Sequence, residues 1–157
     1  MNKVAVRGFK NKIEEHMTEY PRFASRKTPV GEAVEFMRQM GFRHLPVVEN
    51  GKVVGIVSNR DLKQADLMGK TLNLTLQDVM SMEPYCVQVG TRLSEVANEM
   101  ADRRIGSAVV LDEDHQVVGI FTATDGMRIL GEVLSTVPLQ VGFDKSIEDF
   151  LSGNVLI

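Results

Sequence analysis

The sequence of 157 residues predicts an α/β (α+β) fold made from one small unit that occurs twice. Residues 53–61 read Val-Val-Gly-Ile-Val-Ser-Asn-Arg-Asp, and residues 117–125 read Val-Val-Gly-Ile-Phe-Thr-Ala-Thr-Asp. In each segment an apolar run typical of a strand ends at a hydroxyl residue, and an aspartate follows three positions later. A repeat period of about 63 residues is too long for a thin solenoid and fits a duplicated α/β unit.

The match between the two halves extends well beyond this phrase. At the same spacing Met17 pairs with Met80, Pro21 with Pro84, Thr28 with Thr91, and Met37 with Met100. One extra residue near Asp114, in a polar turn, shifts the later pairs by one position. The predicted divisions are a lead-in at 1–16, a first repeat at 17–69, a second repeat with its own lead-in at 70–131, and a tail at 132–157.

Each unit is predicted to contain a helix, a strand hairpin and a second helix. Thr28-Pro29 can start the first helix, since threonine caps helices and proline suits a first turn, and Gly41 can end it. Asn50-Gly51 is a strong hairpin signal. The first unit should have a partly helical lead-in at 10–17, a helix at 30–40, strands at 45–48 and 52–57, and a helix from 58 to about 68. The second should have a short cap at 75–78, a helix after Thr91, strands at 108–111 and 117–121, and a helix from 122 to about 130. The tail should contain one more short helix at 146–151.

Composition narrows the classes of protein to consider. A hydrophobic content of 43% is ordinary for a soluble globular chain. No stretch approaches the roughly 20 apolar residues that span a bilayer, and the first residues lack the apolar core of a signal peptide. A net charge of −3 argues against a whole-surface nucleic-acid binder. Cys86 is the only cysteine, which excludes an internal disulfide and predicts a cytoplasmic location.

The ordered repeat resembles a tandem pair of cystathionine-beta-synthase (CBS) domains, also called a Bateman module. The resemblance covers roughly residues 10–131. In the first copy it rests on Met17-Thr18 with Pro21, Thr28-Pro29-Val30, Arg43-His44-Leu45-Pro46-Val47-Val48 and Gly55 to Asp61. In the second copy it rests on Val79-Met80-Ser81 with Pro84, Ile105-Gly106-Ser107-Ala108-Val109-Val110 and Gly119 to Asp125.

The resemblance implies two β-α-β-β-α repeats packed about a pseudo-two-fold axis. It also implies a regulatory module that binds AMP, ADP, ATP or S-adenosylmethionine in clefts between the repeats, with no required cofactor. Such pairs often form homodimers, and this one would act on the dimer itself or on a separate effector protein. The net charge and the lack of a long apolar stretch predict no nucleic-acid or membrane partner.

The residue types at the end of each repeated phrase suit a nucleotide. Ser58 and Asp61 lie where a strand gives way to a helix, and free backbone N–H groups there favour an anion. A hydroxyl can donate to phosphate, a carboxylate can accept from ribose hydroxyls, and the Arg60 fork suits phosphate. The second copy has Thr124 in place of Arg60, so its cleft should attract phosphate less. The same spacing is also a good helix-capping pattern, which is the structural alternative.

In CBS pairs each cleft draws on both repeats. By that pattern, one cleft would use Ser58, Arg60, Asp61, Ser81, Cys86, Gly106, Ser107 and Ala108. The other would use Thr18, Phe23, Arg43, His44, Leu45, Thr122, Thr124 and Asp125.

Other conspicuous residues have structural interpretations. Arg103-Arg104 fits a charge pair at a helix C-terminus better than a docking site. Cys86, in a strand-like context, fits a buried packing residue better than a nucleophile. Asp112-Glu113-Asp114 fits an exposed turn better than a cation site, and the histidines and Cys86 lack zinc-ligand spacing.

Three functions from different classes remain in competition. The leading hypothesis is a ligand-sensing module. The second is a structural or interaction protein that keeps the fold and binds no nucleotide. An enzyme is the third and is not favoured, because the sequence contains no Walker-type loop, no Gly-x-Ser-x-Gly and no Gly-x-Gly-x-x-Gly.

Overall fold

The computed structural model describes residues 10–67 and 74–136. The first repeat contains β1 (Thr18–Glu19), α1 (Val30–Met40), β2 (His44–Glu49), β3 (Lys52–Ser58) and α2 (Asn59–Leu67). The second contains β4 (Cys86–Gln88), α3 (Leu93–Asp102), β5 (Ser107–Leu111), β6 (Val117–Thr122) and α4 (Ala123–Thr136). Single 3₁₀ turns at Ile13–Glu15 and Leu76–Asp78 precede the repeats. The predicted α+β fold with two copies of one unit is confirmed.

The first helix begins and ends close to where the sequence predicts. Pro29, with φ −58° and ψ 139°, occupies the N-cap position of α1, so Thr28 lies one residue too early to cap it. Gly41 ends α1 in the left-handed region at φ 73°, with its N–H donating to the Met37 carbonyl at 3.0 Å. Glycine suits this position because it lacks the Cβ that strains other residues at positive φ. The buried face of α1 is Val30, Ala33 and Met37.

The last helix is longer than predicted. Apolar residues after position 130 continue the helical spacing, and α4 extends to Thr136, into the region predicted as a tail. The helix predicted at 146–151 lies outside the described residues, as does the predicted end of α2 at 68. Among the helices that the structure describes, none is long and apolar enough to cross a membrane.

The first residues of each repeat join the sheet of the other repeat. β1 pairs with β6, giving a four-stranded sheet in the order β1-β6-β5-β4. In the other sheet, β2 and β3 form the hairpin, and Ser81 bridges to Ile56 while Ala24 bridges to Val47. The second sheet is thus a shorter version of the first, with Ser81 in the place of β1 and Ala24 in the place of β4.

The two hydrophobic cores show the same exchange of segments between the repeats. The core of the first repeat contains Leu76 and Met80, which precede the second repeat. The core of the second repeat contains Ile13, which precedes the first. Backbone hydrogen bonds fix both crossings: Val30 N–H donates to the Leu74 carbonyl at 2.9 Å, and Leu93 N–H donates to the Asn11 carbonyl at 3.1 Å. The repeats therefore hold each other through these exchanged segments.

Pro46 accounts for the difference between the two sheets. In the second repeat, Val109 N–H donates to the Tyr85 carbonyl at 2.8 Å and helps β4 pair with β5. The position matching Val109 in the first repeat is Pro46, which has no N–H to donate. In the first repeat, the counterpart of β4 is therefore reduced to the single bridge between Ala24 and Val47.

Candidate functional site

Two clefts lie between the repeats, at the positions where β3 meets α2 and where β6 meets α4. The first has a volume of about 540 Å³, and the second about 430 Å³. Both volumes fall within the range of small-molecule sites. We call the first the basic cleft, because Arg43, Arg60, Arg103 and Arg104 line it together with two carboxylates, Asp61 and Glu83. The other is called the second cleft, and its charged lining is Arg22, Arg43 and Asp125.

Asp61 combines a capping role with a free acceptor. Its Oδ2 accepts from the backbone N–H and from the hydroxyl of Ser58, both at 2.7 Å, and its own N–H lies 3.4 Å from that hydroxyl. This is the capping-box geometry that the sequence allowed. Among the described residues, no donor is recorded for Oδ1 of Asp61, which leaves one carboxylate oxygen available to a ligand hydroxyl.

Asp125 repeats the cap and carries an additional partner. Its Oδ2 accepts from Thr122 N–H at 2.9 Å and from the Thr122 hydroxyl at 2.6 Å. Its Oδ1 accepts from Arg128 at 3.0 Å, and the residue is only 8% exposed. Position 64, which matches Arg128 in the first repeat, is Gln64. A ligand hydroxyl in the second cleft would have to compete with Arg128 for this carboxylate, whereas no described residue competes in this way for Asp61.

Arg43 and His44 lie between the two clefts and line both. The Arg43 guanidinium donates to the Thr124 hydroxyl at 2.5 Å, joining the first repeat to the second. Burial lowers the pKa of His44, the charge of Arg43 lowers it further, and Asp61 acts in the opposite direction. The His44 ring also packs against Gly106, and a Cβ added at Gly106 would lie 2.8 Å from His44 Nε2. Gly106 is therefore needed for close packing at this junction.

The structure brings most of the predicted residues to the two clefts. The basic cleft contains Ser58, Arg60, Asp61, Ser81, Gly106 and Ser107. The second contains Thr18, Arg43, His44, Thr122, Thr124 and Asp125.

Four predicted residues line neither cleft. Ala108 and Leu45 are fully buried in the two cores. Phe23 is exposed and, with Leu45, lines a separate surface depression. Cys86 is half-buried in β4 with its thiol donating to the Pro84 carbonyl at 3.5 Å, and burial raises its pKa, which agrees with packing rather than nucleophilic chemistry.

Sequence reasoning missed the arginines at the end of α3. Arg103 lies 5.2 Å from the ring centroid of Tyr85 and 3.8 Å from Glu99, and Arg104 follows it at the rim of the basic cleft. The matching residues in the first repeat, Met40 and Gly41, line the second cleft in the same way. That correspondence was available from the repeat spacing and could have placed Arg103 and Arg104 in a cleft.

The described residues hold no cluster of three or more side chains that could bind a metal ion. Asp112 instead stabilises its own turn, with its carboxylate accepting from the N–H groups of Asp114 at 3.0 Å and Gln116 at 2.8 Å. The turn interpretation of this acidic run agrees with the geometry.

Comparison with known proteins identifies the family. The family model described as the CBS domain matches residues 13–67 and again residues 76–132. The two matches cover well over half of the chain, and the chain belongs to the CBS domain family. The resemblance seen in the sequence is therefore confirmed.

Relatives among curated proteins are mostly longer. An uncharacterized protein of Methanocaldococcus jannaschii is 29% identical over 129 residues, which is 81% of this chain and 46% of that protein. An inosine-5′-monophosphate dehydrogenase of the same organism is 31% identical over 100 residues, 63% of this chain and 19% of the enzyme. The chain thus spans less than half the length of the first curated relatives that it matches.

Solved structures agree with the fold over about three quarters of the chain. The CBS domain pair of protein MJ0100, in complex with 5′-methylthioadenosine and S-adenosyl-L-methionine, has a TM-score of 0.71 at 26% identity, covering 77% of this chain and 96% of that one. AcuB from Vibrio cholerae has a TM-score of 0.71 at 32% identity, with 79% and 94% covered. CBSX2 in complex with AMP has a TM-score of 0.70 at 25% identity, with 80% and 99% covered.

Proposed function

We propose that this chain is a regulatory module that binds an adenosyl ligand between its two repeats, in the basic cleft. The observation that carries the proposal is the free Oδ1 of Asp61 beside the arginines of one cleft. A ribose needs an acceptor for its hydroxyls, and a phosphate needs cationic forks. The two similar pairs solved with 5′-methylthioadenosine and S-adenosyl-L-methionine or with AMP support this ligand class.

The position of the cleft suits regulation. Its walls come from both repeats, and Arg43 bonds across the boundary to Thr124. A ligand here contacts both repeats, so it can favour one relative packing over another if it binds the two with different affinity. The proposal assigns no catalytic residue, and a cytoplasmic location stays a prediction from the lone Cys86.

We propose that α4 is the surface through which the module contacts its partner. Met127, Leu130 and Leu134 lie at helical spacing and are 66%, 47% and 44% exposed. The matching positions on α2 begin with Lys63, so the first repeat lacks this stripe. An apolar stripe on one helix favours a homodimer or a docked effector, and it also supports the interaction protein as the second candidate function. Analytical ultracentrifugation of wild type and Leu130→Glu separates dimer from monomer.

Titration calorimetry with AMP, ADP, ATP and S-adenosylmethionine tests the binding proposal. Asp61→Asn should weaken binding by about tenfold or more, because the charged acceptor is lost. Asp78→Asn is the matched control, since Asp78 makes the same two cap bonds to Thr75 at 2.9 Å and lies outside both clefts.

Two outcomes would contradict the proposal. One is the absence of binding for all four ligands, which would leave the interaction protein. The other is an Asp61→Asn variant that binds like Asp78→Asn, which would reduce Asp61 to a cap.

A further inference from the structure

Arg104 adopts a backbone conformation that arginine disfavours. Its φ is 55°, in the left-handed region, and the matching residue in the first repeat is Gly41 at φ 73°. Both residues end the first helix of their repeat and line a cleft. Glycine meets this conformation without steric strain, whereas a side chain costs stability. The arginine therefore serves something other than the turn, and its place at the rim of the basic cleft indicates what that is.

The arginines of the basic cleft differ in whether their guanidinium groups already have a partner. Arg43 is hydrogen-bonded to Thr124, and Arg103 lies near Glu99 and Tyr85. In the part of the chain that the structure describes, the guanidinium groups of Arg60 and Arg104 have no ion-pair or hydrogen-bond partner. Two guanidinium groups without a direct partner at one cleft favour a ligand with more than one negative group.

The charge also discriminates among adenosyl ligands. One phosphate can satisfy one bidentate fork, and further phosphates are needed to use Arg60 and Arg104 together. S-adenosylmethionine carries a sulfonium cation in place of phosphate, and its single carboxylate offers only one anionic group to these arginines. The second cleft has Thr124 and Gly41 at the matching positions, so it lacks this discrimination.

We propose that the basic cleft selects adenosine ligands that carry two or three phosphates, and that Arg60 and Arg104 bind the phosphates beyond the first. This inference rests on the proposed function, since it assumes that the adenosine part binds in the same cleft.

Calorimetry in the presence of EDTA tests the selection with five probes: AMP, ADP, ATP, S-adenosylmethionine and inorganic tripolyphosphate. Wild type should bind ADP or ATP about tenfold more tightly than AMP, and S-adenosylmethionine more weakly still. Tripolyphosphate alone should bind far more weakly than ATP, which separates a nucleotide site from a general anion site.

Arg104→Gly should reduce the preference for ATP over AMP by about five- to tenfold and change AMP affinity by less than about twofold. Its melting temperature should not fall, because glycine suits a φ of 55°. Arg60→Gln should act in the same direction. Arg92→Gln is the control for net charge, since Arg92 is exposed and lies outside both clefts.

The inference is overturned if AMP or S-adenosylmethionine binds wild type as tightly as ATP, or if tripolyphosphate matches ATP. An Arg104→Gly variant with the wild-type preference overturns it as well. In each of these cases binding of AMP that depends on Asp61 leaves the proposed function intact. If no probe binds, both the inference and the proposed function fail.

Discussion

The two matching glycines of the repeated phrase should respond differently to the same substitution. Gly55 lies in β3 and faces Met80, whereas Gly119 lies in β6 and faces Met17. Each methionine belongs to the other repeat. We predict that Gly55→Ala destabilises the protein more than Gly119→Ala does. The reason is the kind of atom that each new methyl group would meet.

Distances from a Cβ built on each glycine set the magnitude. At Gly119 the close atoms all belong to the Met17 side chain, with Sδ at 2.0 Å, and a flexible thioether can rotate away. At Gly55 the Cβ would lie 2.5 Å from Met80 Sδ and also 2.9 Å from the Ser81 carbonyl oxygen. That oxygen accepts from Ile56 N–H at 3.0 Å, so it cannot move without loss of the bridge between repeats.

Overpacking alone costs about 1–3 kcal/mol, and each lost backbone hydrogen bond adds about 0.5–1.5 kcal/mol. We therefore expect Gly119→Ala to cost about 1 kcal/mol and Gly55→Ala about 2–4 kcal/mol. At roughly 2–4 °C per kcal/mol for a chain of this size, the melting temperature should fall by about 2–4 °C and about 5–15 °C respectively.

Scanning calorimetry of a double-mutant set checks the reasoning. Met17→Ala should remove the cost of Gly119→Ala, whereas Met80→Ala should relieve Gly55→Ala only in part, because the Ser81 carbonyl remains. Gly131→Ala, in α4 with nothing within 4 Å, is the control and should stabilise by about 0.5–1 kcal/mol. Equal losses for the two glycines, or full rescue of Gly55→Ala by Met80→Ala, would refute the explanation.

Two predictions concern titratable groups at and near the basic cleft. The folded pKa of His44 is lowered by burial and by Arg43, so the unfolded chain takes up the proton first, and stability should fall as pH drops below about 6.5. His44→Gln should flatten urea-denaturation midpoints over that range, and an unchanged slope would contradict the assignment. Burial raises the pKa of Cys86, so less thiolate forms and iodoacetamide at pH 8 should react several times more slowly than with a free cysteine. Equal alkylation rates before and after unfolding would show that the thiol is not protected.

The sequence predicts the order of the elements well because local signals fix each one. Gly41 and Asn50-Gly51 act within a few residues of themselves, and both adopt the positive φ angles expected of them. The pairing of the first residues of each repeat with the sheet of the other repeat could not be predicted in the same way. Pairing of Thr18 with Ile120 joins residues that are distant in the chain, and a two-residue strand carries no periodic signal.

The candidate site shows a similar division. The sequence indicates Ser58 and Asp61 as candidates because their spacing is itself a local motif. The sequence predicts Arg104 only as a charge at a helix end, because its side chain lines a cleft only when the second repeat packs against the first. Ala108 and Leu45 were placed in clefts by resemblance, yet their strand faces turn them into the cores. Strand alternation cannot settle which face is inward without the register of the neighbouring strands.

The two clefts share one backbone feature at the start of the helix beside each of them. Asn59 N–H donates to the Arg43 carbonyl at 3.0 Å, and Ala123 N–H donates to the Gly106 carbonyl at 3.0 Å. The same bond thus ties the start of α2 to the residue before β2, and the start of α4 to the residue before β5.

Against this shared frame, three matched positions make the clefts unequal: Arg60 against Thr124, Arg104 against Gly41, and Gln64 against Arg128. The first two add cations to the basic cleft, and the third leaves the carboxylate of Asp61 without the partner that Asp125 has. Differences at these matched positions therefore give the two clefts of one duplicated fold different chemistry.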